Sequence, residues 1–514
     1  MYLRDSEYKF YRSGVHKYCT TEKIVNLPKS ICVVGGGTAG FVAALIVKKA
    51  YPSISIQIIE SSKIGTIGVG EGSTEHWKEF IDYMGFNKAE MLTKSDATFK
   101  AGIMFKDWSK NDYLQTVEGA FNILAHDYPV LYGKLIGENK KPIELVEKES
   151  WSGDIYWTNE TEEILADFPV AQFHFNTVKL NEYMHEKAES LGIKIIDDII
   201  ETVDTDENGI KSISSQQNTY EADFFIDCTG FKRLLLNELG AEWESYSKYL
   251  RMKRAIVFQT QDEDKYPMWT LAQAMKYGWM FRIPVWGRKG NGYIFDSDYI
   301  NAQQAKEEVE QILGHAIDVR KEISFDPGAV KNPWIKNCVA IGLSASFVEP
   351  LEATSIGTSI QQSFLLTDRI LNYNDITISK YNKEIGLVLD DIRNFIALHY
   401  VSDRDDSDFW KDQKNVPLPP GLSENLTQWK MRLPTNGDFD QGTDYKLFQK
   451  MHYILVLHGL GLFDTVQIKK QYDMLPQAQK DLAQRVVEDL DYSRKNYKTI
   501  PHKEVIRLVR LLNV

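Results

Sequence analysis

The sequence predicts an α/β fold: a parallel sheet flanked by helices, followed by a mostly helical region. Residues 31–60 read as a strand, a glycine turn, an amphipathic helix and a second strand, which is a βαβ unit. Two further buried strands are expected at 224–227 and 338–342, both short apolar runs. From about residue 375 helical periodicity dominates, interrupted by two stretches rich in Pro, Gly or Asn.

Composition and charge exclude several classes of protein. The 514 residues include 60 Lys and Arg against 72 Asp and Glu, a net charge of −12. This acidic balance argues against sequence-independent nucleic-acid binding, which needs clustered basic residues. No apolar run approaches the ~20 residues that span a bilayer, and the N-terminus has no apolar core like that of a secretory signal. The 4 cysteines are far apart without a CxxC pair, so we expect reduced thiols in a cytoplasmic protein.

A glycine-rich turn joins the first strand to the first helix. Gly35, Gly37 and Gly40 follow the G-x-G-x-x-G pattern of dinucleotide-binding sites. The first glycine permits a tight turn, the second lets a pyrophosphate approach the backbone, and the third lets helix and strand pack closely. Thr38 and Ala39 open the helix, where unpaired N–H groups can bind phosphate. The sequence therefore predicts a dinucleotide site.

The glycine motif and Glu60 do not distinguish FAD from NAD, but two later segments favour FAD. Glu60 ends the second strand, where its carboxylate can accept hydrogen bonds from ribose hydroxyls. The strand at 224–227 runs into Thr229 and Gly230, as in flavoproteins where the chain returns to the dinucleotide. The strand ending at Gly342 is typical of the last strand before a flavin-ring loop, although either strand could be ordinary core. Because no second complete G-x-G-x-x-G occurs, we expect a separate NAD(P)H-dependent flavin reductase to supply reduced flavin.

Four motifs in order resemble those of the flavin-dependent halogenases of the tryptophan-halogenase type. They are GGGTAG at 35–40, GVGEGST at 68–74 with a lysine four residues on, GWMFRIP at 278–284 and FVEPLEAT at 347–354. The resemblance extends from about residue 31 to about residue 410. It implies an FAD-binding Rossmann-like domain of the glutathione-reductase/hydroxylase type at 30–372, with substrate-pocket segments interleaved. A mainly helical domain at 373–514 would complete the pocket, and 1–29 would be an N-terminal extension.

The resemblance implies electrophilic halogenation of an aromatic ring such as an indole or a phenol. In that family FADH2 reacts with O2 to a C4a-hydroperoxide, and chloride, bromide or iodide attacks its distal oxygen to give hypohalous acid. The flavin contacts implied in this chain include Gly230, Gly342 and Leu351. Thr354 and Ser355 match the halide-binding positions, where many tryptophan halogenases have Thr-Gly. A loop that binds only the flavin ring is the alternative.

Two catalytic residues are implied by the same resemblance. Lys78 matches the family lysine that holds the hypohalous acid, either through its ammonium or, as a neutral amine, as a haloamine. Helical spacing alone favours instead a surface lysine paired with Glu75 or Asp82. Glu352 matches the glutamate that faces the lysine and accepts the ring proton or orients the halogenating species. Glu349, three residues earlier, is the residue with which it could be confused.

The resemblance also implies a wall between the flavin and substrate chambers. Trp279 and Pro284 match the family pattern GWxWxIP, in which Phe281 replaces the second tryptophan. Phenylalanine keeps most of the bulk but lacks the indole N–H. A pair of apolar core strands is the alternative interpretation.

The substrate site is the least determined part of the sequence. Aromatic candidates for its lining are Phe105, Trp108, His126, Tyr453 and His458. Because neither FNILAHDYPVLYG nor HYILVLHGLGLFD matches the binders of free tryptophan, we expect other, and several, aromatic substrates. The sequence does not determine whether the chain forms a homo-oligomer.

Two other functions are alternatives to halogenation. A flavin-dependent aromatic hydroxylase usually carries Gly-Asp in the last flavin strand, whereas Gly342 is followed here by Leu343. A catalytically silent flavin-binding protein would not need Lys78 and Glu352. The sequence therefore favours the halogenase over both.

Overall fold

The computed structural model describes residues 27–65, 70–116, 128–138, 154–157, 172–439, 443–496 and 498–512. Its strands are β1 (Ser30–Val34), β2 (Ser55–Glu60), β3 (Glu71–Gly72), β4 (Thr98–Lys100), β5 (Gly102–Lys106), β6 (Tyr113–Thr116), β7 (Asp154–Trp157), β8 (Gln172–Phe175), β9 (Lys194–Asp197), β10 (Thr202–Asp206), β11 (Gly209–Ser214), β12 (Thr219–Tyr220), β13 (Phe224–Asp227), β14 (Trp243–Ser245), β15 (Arg254–Gln261), β16 (Trp269–Ala274), β17 (Gly278–Val285), β18 (Arg288–Phe295), β19 (Val319–Ser324), β20 (Gly328–Val330), β21 (Trp334–Ile335), β22 (Cys338–Ala340), β23 (Ser346–Phe347) and β24 (Lys498–Pro501). Its α-helices are α1 (Thr38–Ala50), α2 (His76–Met84), α3 (Lys88–Lys94), α4 (Tyr128–Gly137), α5 (Thr177–Ser190), α6 (Leu234–Glu238), α7 (Ala302–Leu313), α8 (Thr354–Arg369), α9 (Asp375–His399), α10 (Asp408–Gln413), α11 (Pro420–Trp429), α12 (Lys450–Gly459), α13 (Thr465–Asp473), α14 (Gln477–Asn496) and α15 (His502–Leu512).

The predicted parallel sheet is present, with the strand order β21-β22-β13-β1-β2-β9. All neighbours are parallel except β21, which runs antiparallel to β22. In β1, Ile31 and Val33 pack into the large core on one face, while Cys32 and Val34 pack into a smaller core on the other. A central strand buried on both faces reads as a continuous apolar run, which is why residues 31–34 contain no polar alternation.

A second sheet of seven strands has the order β19-β15-β18-β17-β16-β5-β6. The motif GWMFRIP forms β17 in its middle, paired with β16 and β18. Side chains alternate along this strand: Trp279 and Phe281 face the large core, whereas Met280 faces a separate core against α7. The motif is therefore a structural strand with one face available to a site.

A small sheet with the order β3-β8-β4 connects distant parts of the chain. Its central strand β8 pairs Gly72 with His174 on one side and Thr98 with His174 on the other. Next along the same edge, Lys100 lies opposite Gln172. The segments around residues 72 and 100 are thus held on the two sides of β8.

The described part of the chain after residue 375 is helical apart from β24, which pairs with β7. The boundary between the two domains stays a prediction, as does the role of residues 1–29, most of which lie outside the described ranges. Cys32, Cys228 and Cys338 are free thiols, and Cys19 lies outside the described residues. None of the helices in the described ranges is long and apolar enough to cross a membrane.

Candidate active site

A cavity of about 1350 Å³ lies between the glycine turn of β1–α1, the face of the seven-stranded sheet and the start of α8. Almost every residue that the sequence predicts to bind the dinucleotide lines this cavity. These are Gly35, Gly37, Thr38, Ala39, Glu60, Gly230, Gly342 and Leu351. Segments far apart in the chain therefore converge on one space large enough for a dinucleotide.

The glycines of the turn differ in what a side chain would meet. At Gly35, whose φ is +116°, a Cβ would lie 2.1 Å from the carbonyl oxygen of Cys228. At Gly40 it would lie 1.9 Å from the carbonyl oxygen of Gly35, so this glycine packs the helix against the turn and does not line the cavity. At Gly37 it would meet no atom of the described residues within 4 Å and would project beside the cavity. This open cradle fits a pyrophosphate at the start of α1.

We expect Gly37→Val to abolish FAD binding while the protein stays folded, because the new side chain would fill the cradle without displacing protein atoms. Fluorescence titration with FAD measures the affinity, and thermal unfolding checks the fold. Gly386→Val is the matched control, since Gly386 also has no heavy atom within 4 Å of a built Cβ and lies on α9 away from the cavity. Retention of wild-type FAD affinity by Gly37→Val would show that the pyrophosphate lies elsewhere.

Glu60 reaches the cavity from the end of β2, beside the turn. A Cβ on Gly36 would lie 1.9 Å from its Oε2, so only glycine at that position leaves room for the carboxylate. Burial raises the pKa of Glu60, an effect that His185, 3.7 Å away, opposes. The carboxylate is therefore placed to accept hydrogen bonds from a ribose.

One face of the seven-stranded sheet forms the floor of the cavity. Side chains from β5, β15, β16, β17, β18 and β19 share this face, namely Ile103, Ala255, Val257, Thr270, Phe281, Ile283, Ile294 and Ile323. All of these are apolar except Thr270, and Lys321 of β19, which lies opposite Val257, adds a charged side chain at the edge of the floor. A flat, mostly apolar floor suits a flavin ring, which has large apolar faces.

The loop before α8 brings the start of that helix next to this cavity. Residues Pro350–Glu352 form a 3-10 turn, Ala353 has a left-handed φ of 54°, and α8 begins at Thr354 without a side-chain cap. Ser355 lines the cavity, whereas the side chain of Thr354 is buried. The first N–H groups of a 16-residue helix therefore point toward a ligand here, a geometry that favours an anion such as a halide.

Behind that loop lies a lysine that the sequence analysis did not select. Lys100 on β4 is buried, with 1% of its surface exposed, and its Nζ donates to the carbonyl oxygen of Ser73 at 2.7 Å. Burial lowers the pKa of Lys100 to about 8, a shift opposed by the nearby carboxylates of Glu352 and Glu75. A Cβ on Gly72 would lie 3.4 Å from Cβ of Ala353 and 3.5 Å from this Nζ. A single added carbon on Gly72 would therefore contact both Lys100 and Ala353, so Lys100 lies close to the loop that precedes α8.

Glu352 is buried at the end of the 3-10 turn, with 2% of its surface exposed. Nε2 of His399 lies 2.7 Å from Oε1 of the carboxylate. With its amide nitrogen turned inward, Gln115 donates to both carboxylate oxygens, at 2.5 and 2.9 Å. The hydroxyl of Tyr113 nearby is buried without a hydrogen-bond partner, and burial together with Glu352 raises its pKa well above the usual value. The carboxylate is therefore held firmly inside the protein.

Lys78 lies on an exposed face of α2, and its catalytic role stays a prediction. Its side chain is 42% exposed, and its Nζ donates to Asp82 at 2.6 Å, four residues along the helix. The apolar stripe of Trp77, Phe80 and Ile81 is buried, and Lys78 lies off it toward solvent. An exposed ammonium paired with a carboxylate across one helical turn is a surface ion pair. The lysine near Glu352 is Lys100.

The three residues selected from the GWMFRIP strand make different contacts. Phe281 lines the cavity, whereas Nε1 of Trp279 donates to Oε2 of Glu349 at 2.9 Å. The hydroxyl of Tyr400 donates to the same oxygen. Burial raises the pKa of Glu349 to about 7, opposed by these two hydrogen bonds. Glu349 therefore fixes the tryptophan, and Glu352 is the carboxylate near a lysine. Pro284 contributes its carbonyl oxygen, which accepts from Thr98 at 2.7 Å.

The aromatic residues selected for the substrate site are mostly buried in the core. Trp108 donates to the carbonyl oxygen of Ala272, and Tyr453 donates to Asp391. Phe105 stacks on Tyr113 with ring centroids 4.8 Å apart and lies 4.7 Å from the ring of His399, beside Glu352. His126 lies outside the described residues. Among the described members of the set, Phe105 and Trp108 both pack against the ring of His399, with centroid distances of 4.7 and 6.2 Å.

The sequence model of the family described as tryptophan halogenase matches residues 30–477 of the chain. The chain belongs to the tryptophan halogenase family. Enzymes of this family use reduced FAD, O2 and a halide ion for electrophilic halogenation of small aromatic substrates. Membership agrees with the glycine cradle, the flat apolar floor and the uncapped start of α8, and it does not favour the hydroxylase alternative.

Individual members of the tryptophan halogenase family are similar over most of their length. The 7-chloro-L-tryptophan 6-halogenase KtzR of Kutzneria sp. (strain 744) is 31% identical over 479 residues, covering 84% of this chain and 90% of KtzR. The tryptophan 7-halogenase RebH of Lentzea aerocolonigenes is 28% identical over 92% of this chain and 96% of its own. A tryptophan halogenase structure from Shewanella frigidimarina NCIMB 400 superposes with a TM-score of 0.85 at 25% identity, covering 95% and 98% of the two chains. This halogenase fold is therefore shared along nearly the whole chain.

The sequence analysis missed Lys100, His399 and Gln115, and only the first left a signal. Lys100 interrupts the apolar run ATFKAGIMF, and a lysine inside a buried strand is rare unless it is paired or functional. Gln115 and His399 lie 284 residues apart and carry no motif. Their convergence on Glu352 depends on the tertiary fold.

Proposed function

We propose that the chain halogenates an aromatic substrate, with Lys100 holding hypohalous acid and Glu352 acting on the ring. The observation that carries the proposal is that a buried lysine and a buried glutamate, Lys100 and Glu352, lie close enough to interact electrostatically beside the loop that precedes α8. Reduced FAD, when bound, supplies together with O2 the oxidising equivalents that turn halide into hypohalous acid. The glycine turn, Glu60 and the apolar floor would hold it, as the open cradle at Gly37 supports.

The halide would be held at the start of α8. The N–H groups of Thr354 and Ser355 can donate to it, and the left-handed Ala353 leaves the end of the helix uncapped. Phe281 would separate this point from the substrate chamber, with Trp279 and Pro284 forming the strand behind it. A closed apolar wall keeps water from the anion and strengthens its hydrogen bonds.

Lys100 would receive the hypohalous acid as an ammonium. Its Nζ already donates to the carbonyl oxygen of Ser73. The carboxylates of Glu352 and Glu75 also attract it, and the charged form is favoured by the hydrogen bond and by the carboxylates. The remaining N–H bonds can donate to the oxygen of hypohalous acid and make the halogen more electrophilic. Because the site is buried, these hydrogen bonds do not compete with bulk water.

Glu352 would accept the proton that the ring loses after the halogen adds. Gln115 and His399 orient the carboxylate from one side, which leaves its other lone pairs for a ring C–H or a substrate N–H. Phe105, beside His399, would be part of the aromatic surface on which the ring lies.

The substrate is proposed to be an aromatic compound other than free tryptophan, as expected from the sequence. The named activities of KtzR and RebH concern tryptophan and its 7-chloro derivative. We also propose a separate NAD(P)H-dependent flavin reductase as partner and a cytoplasmic location. Efficient regioselective halogenation of free tryptophan would refute the first of these proposals.

Mass spectrometry on a panel of indoles, phenols and anilines tests the proposed function. The reactions contain FAD, a flavin reductase, NADH, air and catalase, with chloride, bromide or iodide as the only halide. The expected product carries the halogen supplied and is absent without halide. A product heavier by one oxygen and independent of halide would replace the proposal with a hydroxylase.

The rate of halogenation should fall as the pH rises through about 8, because burial gives Lys100 a pKa of about 8 and deprotonation removes its ammonium. Above that pH the rate should drop roughly tenfold per unit. Product formation at saturating substrate across pH 6.5–9.5, with buffer and halide held constant, measures the profile. A rate that rises through pH 8 would identify the neutral amine, and hence a haloamine, as the working form.

A further inference from the structure

Thr270 is a polar side chain on the floor of the cavity with apolar neighbours on both adjacent strands. It lies on β16 between Ile103 of β5 and Ile283 of β17, two apolar side chains that also line the cavity. Only 7% of its surface is exposed. A buried hydroxyl needs hydrogen-bond partners, so those of Thr270 decide what it can offer a ligand.

His174 contacts this hydroxyl from the adjacent small sheet. Its Nε2 lies 2.9 Å from Oγ1 of Thr270, and its Nδ1 lies 3.2 Å from Oγ1 of Thr98. Thr98 in turn donates to the carbonyl oxygen of Pro284 at 2.7 Å. The imidazole is fully buried between the two threonines.

The direction of these hydrogen bonds follows from counting protons. The carbonyl of Pro284 can only accept, so the single proton of the Thr98 hydroxyl is directed to it. Nδ1 of His174 must then be the donor to Thr98. The ring is neutral, because burial lowers its pKa well below the usual value, helped by the positive charge of Lys100 and by His502. A neutral ring has one N–H, so Nε2 is an acceptor and Thr270 donates to it.

We infer that Thr270 presents only oxygen lone pairs to the cavity and accepts a hydrogen bond from a ring N–H of the bound flavin. Its own proton is held by His174 and cannot be donated to the ligand. His174 acts as a positioning residue, since it sets the direction of the threonine hydroxyl without lining the cavity. The inference rests on the proposal that FAD occupies this cavity.

A flavin has two classes of ring N–H that can serve as this donor. N3–H is present in both redox states, whereas N5–H, together with N1–H in neutral FADH2, is gained on reduction. An acceptor for N3–H would strengthen the binding of both states equally, and an acceptor for N5–H would strengthen the binding of reduced FAD alone. The second case would raise the reduction potential of the bound flavin.

The test compares Thr270→Val, which removes the acceptor at nearly constant shape, with Thr270→Ser, which retains it. Anaerobic titrations give the affinities for oxidised and reduced FAD, and spectroelectrochemistry gives the midpoint potential. We expect Thr270→Val to bind at least one redox state roughly 5- to 10-fold more weakly, the loss of one hydrogen bond, with Thr270→Ser near wild type. A tenfold loss for reduced FAD alone lowers the two-electron potential by about 30 mV.

Equal affinities of Thr270→Val and wild type for both redox states would overturn the inference. If wild type itself failed to bind FAD, the assignment of the cavity and not the role of Thr270 would have failed. Nitrogen-15 NMR of selectively labelled histidine provides an independent readout. We expect His174 to carry its proton on Nδ1. A proton on Nε2 would contradict the inferred hydrogen bonds, in which Thr270 donates to His174 and His174 donates to Thr98.

Discussion

Lys100→Met should lower the rate of ring halogenation at least ~100-fold, the scale for losing a positioned proton-bearing group. Methionine replaces the buried lysine with an unbranched apolar chain of similar length, so the strand β4 should keep its packing. FAD affinity should change little, because Lys100 does not line the cavity. Product formation under saturating reduced flavin measures the rate, and fluorescence titration measures the affinity.

Lys78→Met is the matched control for this variant. Its ammonium pairs with Asp82 on an exposed helix face, a contact worth only ~0.2–0.5 kcal/mol. We therefore expect halogenation and unfolding temperature close to wild type. Full activity of Lys100→Met, or loss of activity in Lys78→Met alone, would restore the assignment of the family lysine to Lys78.

Glu352→Gln should lower halogenation by roughly 10²- to 10⁴-fold, the range for removing a general base. Glutamine keeps the size of the side chain but cannot take the ring proton. It also removes a carboxylate that favours the charged form of Lys100, so the Lys100 pKa should fall and the decline in rate with pH should begin earlier. Initial rates of product formation across pH measure both effects.

Glu349→Gln separates the two glutamates of the loop. Its Oε2 accepts from Trp279 and Tyr400, while its Oε1 has no hydrogen-bond partner. A glutamine amide can keep the accepting oxygen in place and put its NH2 at the other position, so we expect less than a roughly tenfold loss. A larger loss here than in Glu352→Gln would exchange the assigned roles.

Local patterns explain which parts of the fold could be predicted. Strand, glycine turn, helix and Glu60 all lie within residues 31–60, and each step depends on neighbours in sequence. The strands at 224–227 and 338–340 are apolar on both faces, so their burial could be read without knowing their partners. The cofactor cavity follows from these elements, because the ends of parallel strands meet at one edge of a sheet.

The two candidate lysines show what local patterns do not encode. Lys78 follows the GVGEGST motif directly, whereas Lys100 is separated from it by two helices. Pairing of β8 with both β3 and β4 returns Lys100 to the motif, through hydrogen bonds to residues 172–175 that no local spacing encodes. A lysine inside an apolar strand was the available signal, and it indicates burial without naming the partner.

The central claim is that halide is oxidised at the cavity and that Lys100 then holds the product. The most direct measurement supplies reduced FAD, O2 and bromide to Lys100→Met together with a small soluble trap for hypobromous acid. We expect the variant to brominate the trap at nearly the wild-type rate of flavin oxidation while the aromatic substrate stays unmodified. A variant that releases no hypobromous acid, or that still brominates the substrate with the trap present, would contradict it.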